Sequence, residues 1–168
     1  MIKRIAGLVG GWLLGNLLFS PSDLTAHRNS AMNLECGNCH IEGKATKVII
    51  KGFPSQFQPG RSYTITVEVQ SKVLSVSESK GGFAAQVVGG TLKIKDDKNT
   101  QLLHGYLTHT QEGNTKRKWV FEWVAPQDAE EAVLTVMGVA ANGDYSPYGD
   151  GVAVEALSAK KAVTKAKK

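Results

Sequence analysis

The chain has 168 residues, 42% of them hydrophobic, with 18 glycines and 5 prolines, which is room for one domain and a core that needs no disulfide staples. Its formal charge of +5 sits at the ends: Lys3 and Arg4 near the start, and Lys160, Lys161, Lys165, Lys167 and Lys168 in the tail. Those seven taken from +5 leave −2 for the body, so the folded part is not a basic protein, and lysines without interleaved aromatics exclude a nucleic-acid-binding reading.

Met1–Arg4 is a positive n-region, and Ile5–Phe19 is an apolar run of fifteen residues. Ser20-Pro21-Ser22 interrupts it, and Leu24-Thr25-Ala26 offers small residues for cleavage. The run is shorter than the roughly 20 residues of a membrane span, so 1–26 reads as an export signal, with an uncleaved N-terminal anchor as the alternative. Either way the body is expected outside the cytoplasm, touching a membrane only through this segment.

Residues 27–46 follow as a polar stretch bearing two cysteines. From Lys47 the pattern changes to short strands. Lys47–Ile50 is β-prone, and after the turn signal Pro59-Gly60 the residues Tyr63, Ile65, Val67 and Val69 alternate with polar ones, as in a half-buried strand. Gly82–Val88 is the next strand, stopped by Gly89-Gly90. Trp119, Phe121 and Trp123 share one face of another that ends at Ala125-Pro126, and Val133–Val139 is a further apolar run before the turn Asn142-Gly143-Asp144. No segment of the body has a sustained 3.6-residue apolar period. The expected fold is therefore all-β, an antiparallel β-sandwich over 47–156 preceded by a loop or short helix, with 157–168 as a basic disordered tail.

The chemistry concentrates at Cys36-Gly37-Asn38-Cys39-His40. Two cysteines in an exported protein suggest a disulfide, but a two-residue gap followed at once by histidine is the attachment pattern of a c-type haem. Each thiol forms a thioether with one vinyl group on the same edge of the macrocycle, and the adjacent histidine ligates the iron from the proximal side. Competing readings are a disulfide or free thiols on a loop, a zinc site, which wants four protein ligands, and a thioredoxin-like dithiol, which belongs in an α/β setting. The expectation is one haem c per chain, on Cys36 and Cys39, with His40 on the iron.

For the opposite side of the iron His27 is the first candidate and His109 the second, and a ligand from another subunit is a third. Met32 lies too close to Cys36 to reach that side, Met137 reads as core packing within an apolar strand, and His104, like His109, flanks Gly105–Thr108. Asn142, Asp144 and Asp150 lack EF-hand spacing and read as a solvated turn. No nucleophile elbow, zinc-protease helix or phosphate loop is present, so the chain is not expected to be an enzyme.

The stretch from Phe53-Pro54 through Phe57-Gln58-Pro59-Gly60-Arg61-Ser62-Tyr63-Thr64 resembles the opening of the Reeler-like domains, including the prokaryotic group called choice-of-anchor V. Gly81-Gly82-Phe83, Leu107-Thr108-His109-Thr110, Trp119–Pro126, and Ala140–Asp144 with Gly149-Asp150 are similar to the later landmarks of that family, in the same order over about 52–154. The resemblance implies an immunoglobulin-like sandwich that is secreted or displayed at the cell surface. It also implies a haem motif ahead of the sandwich, as in prokaryotic members, and a structural role for His109, because animal members keep the Thr-His-Thr stretch without the haem segment. The expected function is an exported monohaem c-type cytochrome passing electrons between extracytoplasmic redox proteins, with self-assembly through the sandwich edges as a further role. The alternatives are a haem-free adhesion or recognition module and a haem-based small-molecule binder.

Overall fold

The computed structural model describes Leu34 and residues 36–163. The expected signal, the candidate ligand His27, Met32 and the last lysines lie outside the described residues. Among the described residues eleven strands follow a 3-10 turn at Cys36–Asn38: β1 (Ile41–Glu42), β2 (Thr46–Lys51), β3 (Gln56–Phe57), β4 (Ser62–Ser71), β5 (Gly81–Val88), β6 (Thr91–Ile94), β7 (Thr100–Leu103), β8 (Tyr106–His109), β9 (Lys118–Val124), β10 (Glu131–Ala140) and β11 (Tyr148–Lys161), with a second 3-10 turn at Glu112–Thr115 between β8 and β9. They form two sheets, β1-β11-β10-β5-β8-β7 with β3 also on β11, and β2-β4-β9-β6. All pairings are antiparallel except those of β1 and β3, which run parallel to β11. The chain is an all-β sandwich, as its alternation predicts.

The core lies where the inward faces meet. Trp119, Phe121 and Trp123 project from β9 at 1% exposure or less, against Ile65 and Val67 of β4 and, from the facing sheet, Phe83, Leu107, Leu134 and Val136. A strand buries every second residue toward one side, so the aromatic triplet read from the sequence becomes the centre of the sandwich. Trp123 meets Phe57 edge-on at 5.6 Å between ring centroids and lies 4.6 Å from Phe53, while its indole N–H donates to the Gly89 carbonyl at 3.0 Å. Gly89 and Gly90 carry the chain from one sheet to the other with φ of 87° and 89°, and a Cβ on Gly90 would come within 2.3 Å of the Val124 carbonyl oxygen. Only glycine allows that crossing.

Two expectations need correction. The disordered tail was placed at 157–168, yet β11 continues to Lys161, with Ala159 fully buried and Lys161 paired to Glu130 at 3.1 Å. The reason is the length of β10: each of its ten residues has a partner on β11, from Glu131↔Lys160 to Ala140↔Gly151. Met137, read as core packing, is 7% exposed but lies outside the core cluster, on the opposite face of β10 from Leu134 and Val136.

Replacing Trp123 by alanine is expected to destabilise the protein by about 3–5 kcal/mol, seen as a lower urea midpoint at unchanged slope. A loss below about 1 kcal/mol would show that the aromatic centre of the sandwich is misplaced.

Candidate functional site: the Cys36–His40 turn

The motif forms one tight turn. The amides of Cys39 and His40 both donate to the Cys36 carbonyl, at 3.1 and 2.9 Å. The chain then enters β1, where the Ile41 amide donates to the Pro147 carbonyl at 2.8 Å and Ile41 takes its place opposite Tyr148. A two-residue parallel strand therefore ties the turn to the edge of the larger sheet. Both cysteines are free thiols, Cys36 half-buried and Cys39 exposed.

The turn rests on an outer apolar patch of that sheet. Gly82 and Ala84 of β5 alternate with the core residues Phe83 and Ala85, and so face outward. The register sets Ala84 beside Met137 and Gly82 beside Val139, with Val154 and Val152 of β11 on the far side of β10. Ala84, Met137 and Val139 are buried without belonging to the core cluster. Met137 also reaches the turn: the Cys36 amide donates to its Sδ at 3.0 Å.

Asp150 holds the histidine. His40 Nδ1 lies 2.6 Å from Asp150 Oδ2, and the other carboxylate oxygen accepts the Asn142 amide at 2.7 Å. The Asp150 side chain is 4% exposed and that of His40 27%, so this is a sheltered pair, and the expectation that Asp150 belongs to a solvated turn is corrected. Burial pushes the Arg117 pKa down and the nearby Asp150 opposes this, while the guanidinium donates to the carbonyls of Lys80 and Ala141 at 2.7 and 3.1 Å.

His109, the second candidate for the far side of the iron, stands on β8. Its Nδ1 lies 3.2 Å from both the amide nitrogen and the carbonyl oxygen of Phe83, and its ring packs 6.4 Å from that of Trp119. A Cβ on Gly82 would meet this ring at 2.5 Å, so the glycine makes room for it. Burial pushes the His109 pKa down from 6.5, the Phe83 backbone bond opposes this, and the charge of His40 adds to it. These contacts tie His109 to β5 and β9 of the sandwich.

The donor set fits a c-type haem. An iron-bound histidine ordinarily has its second ring nitrogen tied to a carboxylate, carbonyl or water, which fixes ring orientation and tautomer, and Asp150 supplies such a partner to His40. Gly37, between the cysteines, has no atom of the described residues within 4 Å of where a Cβ would stand, so they leave that side of the turn open. A redox-active dithiol requires a lowered thiol pKa, whereas burial raises that of Cys36; its backbone hydrogen bond opposes this and the neighbouring Cys39 charge adds to it. Among the described residues no three His, Cys, Asp or Glu side chains group as a metal site.

The sequence matches no family model and no curated protein. Among solved structures the chain is similar to the Reelin-N domain of F-spondin, with a TM-score of 0.53 at 16% identity over 77% of this chain and 96% of that one. A human F-spondin reeler-domain fragment gives a TM-score of 0.49 at 18% identity, over 72% and 96% of the two chains. The first of these likenesses shows that the sandwich has a Reeler-like fold. No helix among the described residues is long and apolar enough to cross a membrane.

Because folded His109 resists protonation, its contribution to stability is complete above about pH 6.5 and is lost as the pH falls below that value, where the unfolded chain takes up the proton first. Wild type should lose stability more steeply than His109→Gln between about pH 6.5 and 5 in urea unfolding. Equal slopes would show that the ring is not sheltered as described.

Proposed function

We propose that this chain is an exported, Reeler-like β-sandwich that carries one c-type haem at Cys36, Cys39 and His40 and serves in extracytoplasmic electron transfer. The observation that supports this reading most is the 2.6 Å contact between His40 Nδ1 and the buried Asp150 carboxylate, directly after a Cys-Xaa-Xaa-Cys pair. A histidine on an exposed loop needs no buried carboxylate; one that must present Nε2 in a fixed direction does.

Each part of the site has a task in this reading. Cys36 and Cys39 anchor the group covalently on the open side of the turn. Asp150 accepts a hydrogen bond from His40 Nδ1–H, which would leave Nε2 as the ligating nitrogen. Met137, Val139 and Ala84 keep water from the floor beneath the turn, and Met137 fixes the Cys36 amide besides. The haem, when bound, supplies a one-electron couple at iron. The sandwich is the rigid support on which these residues keep their spacing.

A second reading is a haem-free extracytoplasmic adhesion or recognition module. The Reeler-like fold favours it, since that likeness extends to the sandwich and lends nothing to haem binding or electron transfer. In that case the turn would be a thiol-bearing loop and the His40–Asp150 pair a device for closing the edge of the sheet.

Expression in an exporting host with haem-maturation machinery separates the two. The expected product keeps one haem per chain after acid-acetone extraction, gives a pyridine haemochrome spectrum, and loses the haem in the Cys36→Ser, Cys39→Ser double variant. A folded, colourless wild-type protein from the same host would overturn the cytochrome reading and leave the module.

A further inference from the structure

We propose that Asp150 is a positioning residue that lowers the reduction potential of the iron held by His40; this rests on the haem reading above. The case is geometric. Asp150 Oδ2 lies 2.6 Å from His40 Nδ1, the distance of a strong, charge-assisted bond, and a carboxylate is an acceptor with no proton of its own to offer. The carboxylate does not depend on His40 for its position. Its other oxygen is held by the Asn142 amide at 2.7 Å, and residue 150 is paired with β1, the strand His40 leads into. The acceptor is thus fixed by the sheet, sheltered at 4% exposure, and set against Nδ1, so that Nε2 is the nitrogen that would hold iron.

Such an acceptor draws on the Nδ1 proton and gives the imidazole part of an imidazolate's negative charge. A more electron-rich ligand stabilises iron(III) over iron(II), so the couple iron(III) plus one electron to iron(II) moves to a lower potential. The nearby Arg117 guanidinium donates to two carbonyl oxygens, those of Lys80 and Ala141. Low dielectric around the buried carboxylate preserves the effect, which the same charge on an exposed loop would lose to solvent.

The test is potentiometry of the holoprotein against a mediated electrode that supplies the electron. Asp150→Asn keeps an acceptor oxygen and removes the charge. At a fixed electrode potential its reduced-to-oxidised ratio is expected to rise roughly tenfold, a positive shift of about 59 mV for a one-electron couple. Asp150→Glu should return toward wild type. Asp144→Asn, which removes an equal charge from an exposed residue of the loop before β11, should leave the potential in place. An unshifted potential in Asp150→Asn with its haem intact, or an equal shift in Asp144→Asn, would overturn the proposal while the haem reading stands. If Asp150→Asn does not fold, proton NMR of the reduced wild type decides: a far-downfield, slowly exchanging His40 Nδ1 proton supports the carboxylate bond, and an ordinary imidazole position overturns it. A wild-type protein without covalent haem removes the reading and the proposal together, a result distinct from all of these.

Discussion

Ten consecutive residue pairs join β10 to β11, and the candidate site depends on that ladder. Its central pairs hold Met137 beside Val154 and Val139 beside Val152, and its end at Ala140↔Gly151 delivers Asp150 to the sheet edge one residue further on. β1 has no ladder of its own to stand on: it pairs only with the start of β11. Removal of the β10–β11 register would therefore separate the carboxylate, the methionine and the turn that meets both. A slip of one residue would be as damaging, because it would turn Met137 and Val139 inward and bring core residues to the outside.

The larger sheet is buried on both faces over part of its area, which is unusual for an antiparallel sandwich sheet with one solvated side. Inward, it packs on the β9 aromatics. Outward, around Gly82, Ala84, Met137 and Val139, it is covered where the Cys36 turn approaches. The composition of β5 follows from this. Gly81 through Ala85 are all buried, and small residues on the outward positions leave room for His109 on one side and Met137 on the other. Gly138 marks the same crowding on the inward side, where a Cβ would come within 2.4 Å of a Val69 methyl.

His40 and His109 show how two histidines near one another take opposite roles. His40 meets a carboxylate from β11, and its side chain keeps contact with solvent. His109 is packed against Phe83, Gly82 and Trp119, and burial pushes its pKa down. The sandwich thus places one ring against a carboxylate at the sheet edge and packs the other against its aromatic core.

The alternation of β4 and the aromatic triplet of β9 were legible in the sequence because a strand's side chains have period two, whatever sheet receives them. The Cys-Xaa-Xaa-Cys-His motif was legible because its spacing is local. The sequence alone therefore determined the fold class, most of the core and the turn that bears the cysteines. Three features were decided only by tertiary structure. Met137 looks like core in an apolar run, and only the register of β10 shows that it faces outward. Asp150 looks like one more acid in a turn-rich stretch, its flanking Gly149 and Gly151 being the single local hint of a close approach. The last residues of β11 look like the start of a lysine tail until ten residues of β10 require partners. The physical reason is the same in each case: a side chain's direction and burial depend on which strand lies beside it, and residues 40 and 150 meet through a pairing that no local pattern records.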